Sequence, residues 1–293
     1  MSWLNNRKKQ TNRLDFIIAG AEKAGTSYLS KVLGSSSEIV MPEHEVRHFR
    51  DPFYPDRERL DELLQNKNGE KVGIKHPSYL GRPEVPERIY KHNPEMKLIF
   101  VLRNPVERAI SSYLHYVRHG QVPLLHPNEA FLRIVEEKDK HPKYRDILEF
   151  GLYHKYIRMY QEHFKGDNML ILEYEQFLNG AVDMSPVTEF LGIKTIANPP
   201  ESRINEGTRN WHSCQVDFIR ALAFNRYDDA LNIVGRHDQP YLDSFDQSLP
   251  QLRRALANEP IVIDKNARVK LEEFYENDIK ELRKANLLQP RNW

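Results

Sequence analysis

Apolar and polar positions alternate in blocks along most of the chain. The first block, Leu14 to Ala19 (LDFIIA), is short and apolar but for Asp15, which predicts a buried strand. The octet GAEKAGTS from Gly20 to Ser27 follows, and apolar residues then return at Leu29, Val32 and Leu33 with the spacing of a helix. The clearest later block is Lys97 to Leu102 (KLIFVL), whose unbroken apolar centre predicts a parallel strand covered on both faces. It ends in RNP, where Asn104 and Pro105 open a helix with Gly120 as its natural stop. Shorter strands are predicted at Glu38 to Met41 and Lys71 to Lys75, a helix from Gly151 to Phe164, and a further buried strand from Asn168 to Glu173 (NMLILE). An amphipathic helix from Lys265 to Ala285 closes the pattern. Strands alternating with helices predict an α/β chain with a central, mainly parallel sheet of about four or five strands flanked by helices, and with ligands at the carboxyl ends of the strands. Two stretches, Gln121 to Tyr144 and Asn210 to Pro260, are polar and show no clear period.

Bulk properties narrow the picture modestly. A length of 293 residues accommodates one large domain, expected over residues 14–293, and the first thirteen residues read as a flexible tail with four basic groups and no acid. With 43 basic and 42 acidic residues the net charge is +1, so no general affinity for nucleic acid is expected and anion recognition must come from local clusters. No apolar run approaches the roughly 18 residues of a membrane span, so a soluble, cytoplasmic protein without a membrane partner is expected. The single cysteine, Cys214, rules out an intrachain disulfide and any cysteine-cluster metal site.

The octet carries the first chemical signal. It has the glycines and hydroxyls of the phosphate-binding pattern G-x-x-x-x-G-K-S/T, but Thr26 stands where that pattern requires lysine, and the lysine lies three residues earlier, at Lys23. The amides of Ala24, Gly25, Thr26 and Ser27 would face an anion at a helix N-terminus, where the dipole adds about half a positive charge. The strand that should end in a magnesium-binding aspartate instead ends in Arg103, a group that attracts anions and repels the metal.

Several segments together resemble one family. GAEKAGTSYL resembles the 5′-phosphosulfate loop, G-x-x-K-(A/G/S/T)-G-T-(S/T)-x-L, of sulfotransferases that use 3′-phosphoadenosine 5′-phosphosulfate (PAPS). RNPVERAISSYLH is similar to their 3′-phosphate motif, an arginine at a strand end followed eight residues later by a helical serine, here Arg103 and Ser111. HEVRHF resembles the K-E-x-x-F/Y-F segment of the heparan-sulfate-type and bacterial branch, with Glu45 in the place of the catalytic base; it departs from the pattern at His44 and His48, which with Tyr79 are candidate acceptor-binding residues. KHPSYL resembles K-S/T-P-x-Y and brings in Lys75. The helix beginning GLYHKY and the following strand match the family's order and implicate Tyr174 near the nucleotide, while RINEGTRNW looks like a closing loop with Gly207 and Arg209.

The resemblance implies a P-loop-like three-layer fold and a PAPS-dependent transferase. Lys23 and Lys75 would stabilise the leaving phosphate and the sulfuryl group in transit, and Glu45 would deprotonate the acceptor, with no metal required. A histidine base, with His44 as its local candidate, stays open. The acceptor is expected to be polar, a carbohydrate or small natural product, recognised through the unassigned stretches 121–144 and 210–260. Two alternatives stand beside this reading: a P-loop small-molecule kinase using ATP and magnesium, and a noncatalytic nucleotide-binding protein of the same fold.

Overall fold

The computed structural model describes residues 13–50, 57–65, 70–119, 121–122, 125–177, 183–194, 196, 217, 262–290 and 293. The strands are β1 Phe16–Gly20, β2 Ile39–Val40, β3 Lys71–Lys75, β4 Lys97–Leu102 and β5 Met169–Glu173. The α-helices are α1 Thr26–Gly34, α2 Arg57–Gln65, α3 Val85–His92, α4 Pro105–Arg118, α5 Pro127–Glu137, α6 Tyr144–Ile147, α7 Tyr153–Gln161, α8 Ser185–Leu191 and α9 Lys265–Lys284. Contacts divide the chain into two compact units, residues 1–102 with 156–202 and residues 103–155 with 203–293.

The first unit holds the whole sheet. Its order is β2-β3-β1-β4-β5 and every pairing is parallel, as the alternation of strands and helices predicts. Parallel strands need helical crossovers, which cover both faces and force the central strands to be apolar throughout. Accordingly Phe16 to Ala19 of β1 and Leu98 to Phe100 of β4 are wholly buried. At the start of the sheet Asp15 ties three strands together: its carboxylate accepts from Val72 N at 2.7 Å, its amide donates to Val72 O at 2.8 Å, and its carbonyl accepts from Lys97 N at 3.1 Å. The order turns about β1, so the carboxyl ends of β1 and its neighbours are where a ligand crevice is expected in such sheets. Close packing here leaves no room for side chains at one position: a Cβ on Gly73 of β3 would lie 2.1 Å from the Phe16 ring.

The described residues of the second unit are mainly helical. Asn104 caps α4 by accepting from Val106 N at 3.0 Å and Glu107 N at 3.3 Å, and Pro105 occupies the first turn, where its missing N–H costs nothing. Arg108 is fully buried, and its guanidinium donates to the carbonyls of Asp146 and Ile147. Helix α9 is capped by Asp264, which accepts from Ala267 N at 2.7 Å, and it buries Leu271, Tyr275 and Leu282. Asp278 of α9 caps the start of α7 by accepting from His154 N at 2.9 Å and Lys155 N at 3.0 Å.

Part of the stretch that shows no clear period proves to be an ordinary core helix. In α5 the side chain of His126 caps the first turn by accepting from Asn128 N, and Ala130, Phe131 and Ile134 pack in the core of this unit. Residues 210–260, apart from Asp217, and Gly120 lie outside the described residues.

Gly73→Ala is expected to lower stability by about 1–3 kcal/mol or more through overpacking against Phe16. Gly166→Ala, where an added Cβ meets nothing within 4 Å, is the comparator and should change stability by less than about 0.5 kcal/mol. Urea midpoints of the two variants check this.

Candidate active site

The loop between β1 and α1 bends through two residues with positive φ, Lys23 at 65° and Gly25 at 79°. Gly25 is the N-cap of α1, in the left-handed region that favours glycine, and it makes no side-chain cap. The ring of Tyr174, just beyond β5, lies over it, so that a Cβ on Gly25 would be 2.8 Å from the ring edge. The first turn of α1 contains no acidic residue, and the amides of Thr26 and Ser27, at its first two positions, have no acceptor within the helix. This end of the helix therefore presents donors and a positive dipole. Ala24 is different: its amide donates to Ala21 O at 3.3 Å, and the residue is fully buried. Its amide is thus engaged within the turn itself.

Lys75 links this loop to the segment carrying Glu45. It ends β3, where the register sets it beside Ile18 of β1. Its ammonium donates to Ser27 Oγ at 3.0 Å and pairs with Glu45 Oε1 at 3.1 Å. The lysine side chain is 10% exposed and the glutamate 44%, so the pair sits at the rim, with the base candidate facing outward. His44 is exposed beside it. Glu45, Lys75 and Ser27, found by motif in three separate parts of the chain, thus meet in one place.

The other candidate acceptor residues lie differently. Tyr79 is 0% exposed; its hydroxyl donates to Val46 O at 2.5 Å and accepts from Phe49 N at 3.1 Å. It supports the glutamate segment from beneath. His48 belongs to an aromatic group with Phe49 and His92, at centroid distances of 4.9 and 6.4 Å from them. Beneath the site, His76 is buried, stacked on Tyr79 at 4.6 Å and bonded through Nδ1 to Ser78 Oγ at 3.1 Å. Burial, and after it the charges of Arg50, Arg47, Arg82 and Lys75, push His76 down from 6.5 to about 3. Arg88 carried no sequence signal here, because only the fold brings α3 to this segment, where Arg88 Nη1 donates to Phe49 O and Arg50 O at 2.9 Å.

Arg103 and Ser111 belong to the second unit. Arg103 is half-buried, and its carbonyl accepts from Tyr153 OH at 2.8 Å, which fixes the backbone where the strand gives way to α4. Ser111 is a half-buried residue of α4, two turns further on. Gly207 and Arg209 lie outside the described residues. Among the described residues there is no group of three His, Cys, Asp or Glu side chains placed to hold a metal, and no helix long and apolar enough to cross a membrane.

A family model described as "Sulfotransferase domain" matches residues 13–244. The chain belongs to the sulfotransferase family. Among curated relatives of this sulfotransferase, the human bifunctional heparan sulfate N-deacetylase/N-sulfotransferase 2 is 26% identical over 212 residues, covering 66% of this chain and 24% of its own length. Human heparan sulfate glucosamine 3-O-sulfotransferase 3B1 is 29% identical over 187 residues, covering 61% of this chain and 46% of its own. The chain thus spans less than half the length of either. A solved sulfotransferase from Alicyclobacillus acidocaldarius superposes with a TM-score of 0.56 at 26% identity, over 78% of this chain and 97% of that one. The motifs and the parallel sheet thus lead to the family that the resemblance implies.

A buried histidine and a half-buried one make the stability of this sulfotransferase depend on pH. His76 is held near 3, and His92, whose Nε2 accepts from Leu14 N at 3.3 Å, is lowered to about 4, chiefly by burial and then by His48 and Arg13. An unfolded chain binds protons at both sites near pH 6.5 while the folded chain does not, so the stability they contribute is complete above that pH and is lost toward 4 and 3. Urea midpoints should fall as the pH drops below about 6.5, and His76→Gln should flatten that fall. An unchanged slope in the variant would contradict a neutral, buried His76.

Proposed function

We propose that the chain transfers the sulfuryl group of PAPS to a hydroxyl or amine of a polar acceptor, a glycan or small natural product, with Glu45 as general base. The observation that carries the reading is the double contact of Lys75, 3.0 Å from Ser27 Oγ in the phosphate loop and 3.1 Å from Glu45 Oε1. One cation there adjoins both the donor loop and the candidate base.

The acceptor oxygen or nitrogen attacks sulfur as its proton passes to the Glu45 carboxylate. The bond from sulfur to the bridging oxygen breaks, and its electron pair stays on the 5′-phosphate of the departing adenosine 3′,5′-bisphosphate. Negative charge grows on that phosphate, and the Lys23 ammonium, the Thr26 and Ser27 amides and the dipole of α1 oppose it. Lys75 stabilises the sulfuryl oxygens in transit. Arg103 and Ser111 take the 3′-phosphate in this reading, a forked cation with a neutral hydroxyl donor. Tyr174, whose ring covers Gly25, faces the nucleotide side of the loop in this reading. The printed names of the two human relatives concern N- and 3-O-sulfation in heparan sulfate, so oligosaccharides with glucosamine amines and hydroxyls head the acceptor screen, read by the mass of an added sulfo group.

Glu45→Gln is expected to reduce turnover about 10²–10⁴-fold, the span of general base catalysis, with affinity for adenosine 3′,5′-bisphosphate unchanged. Unaltered turnover would remove Glu45 as the base and return the role to a histidine such as His44. Calorimetric titration separates the donor: binding of adenosine 3′,5′-bisphosphate without magnesium supports PAPS, whereas binding of ATP only with magnesium supports a kinase.

A further inference from the structure

The segment from Glu43 to Arg50 has no strand or helix of its own beyond a turn at its end, and its Glu45 side chain is 44% exposed. Neither burial nor a ladder of backbone bonds holds the carboxylate against Lys75. What holds the segment is a set of bonds from elements behind it. Val46 N donates to Lys75 O at 3.2 Å. The Tyr79 hydroxyl bridges Val46 O and Phe49 N, at 2.5 and 3.1 Å. Arg88 Nη1, from α3, donates to Phe49 O and Arg50 O, both at 2.9 Å. Tyr79 is itself fixed, since its carbonyl accepts from Tyr160 OH at 2.8 Å and its ring stacks on His76.

A fully buried tyrosine that only filled space would have no need for a hydroxyl, and a buried hydroxyl must be satisfied to avoid a desolvation cost. Here the hydroxyl serves two backbone groups of the one segment that carries the base. We propose that Tyr79 and Arg88 are positioning residues, which set the backbone of residues 46–50 so that Glu45 stands at the Lys75 ammonium in the geometry for proton abstraction. This rests on the reading of Glu45 as base. Displacement of a reacting group by about 1 Å can cost about a hundredfold in rate, so loss of either anchor acts on turnover while leaving the donor loop intact.

The test uses the full chain and PAPS, with water as the acceptor and release of adenosine 3′,5′-bisphosphate as the readout. Tyr79→Phe, which keeps the ring, is expected to lower kcat about ten- to a hundredfold with KM for PAPS within about twofold. In a Glu45→Gln background the same change should cost less than about twofold, because the group it positions is gone. Equal losses in both backgrounds, or a single variant within about twofold of the parent, would overturn the proposal. Arg88→Met enters the same cycle from α3, and serves if Tyr79→Phe does not fold. Amide exchange at Val46 and Phe49 separates the two ideas. If Glu45→Gln keeps full turnover, or turnover with water is undetectable, faster exchange at both amides in Tyr79→Phe still supports positioning of the segment, and unchanged exchange overturns it.

Discussion

The contact on which the site depends is the ammonium of Lys75 meeting Ser27 and Glu45 at once. A lysine can do this only where three separate pieces of chain are brought within reach of its terminal atom. Parallel pairing of β3 with β1, in the register that sets Lys75 beside Ile18, brings the end of β3 next to the loop that leaves β1. The bond from Val46 N to Lys75 O then lays the glutamate segment along the same strand end. A shift of one residue in that register would turn Lys75 to the other face of the sheet and separate all three. The apolar burial of β1 and β4 is therefore also what fixes the chemistry, because it permits one register and no other.

The loop illustrates how backbone conformation and charge work together. With Gly25 left-handed and covered by the Tyr174 ring, α1 begins without a side-chain cap and without an acidic residue in its first turn. An ordinary helix would fill that end with a serine or aspartate. Leaving it open keeps the first-turn donors and the dipole uncapped, at some cost in helix stability. The displaced lysine, Lys23, then stands beside the turn in a left-handed conformation instead of following it. The four basic side chains whose charges reach His76 indicate how positive the ground beneath the site is.

Legibility varied by element for physical reasons. KLIFVL and KVGIK are continuous or nearly so in apolar character, and the strands β4 and β3 have the limits predicted for them. Helix α4 announces itself through Asn104 and Pro105, a cap and a first-turn residue. By contrast α2, α3 and α8 are short and polar on their outer faces, so little of their pattern stands out against loop sequence. Helix α5 begins with a histidine cap followed by a proline, and the period of its buried Ala130, Phe131 and Ile134 is short against a polar flank. Of the site, Lys23, Glu45, Lys75, Arg103 and Ser111 could be singled out because each sits in a local pattern. Arg88 and His76 could not, and Tyr79 was legible only as part of a motif, which says nothing of its full burial or of the backbone groups its hydroxyl bonds.

From the order of residues alone come the parallel α/β class, the glycine loop with its displaced lysine, and the family. Each of these is carried by local features: apolar blocks of strand length, glycines at fixed offsets, a cation where a metal-binding acid would otherwise stand. That Lys75 joins the loop to the segment carrying Glu45, and that a buried tyrosine hydroxyl holds the backbone next to Glu45, are consequences of packing between residues up to 48 positions apart. No local pattern encodes such distances, because they depend on strand register and on which buried polar groups find partners once the core has closed.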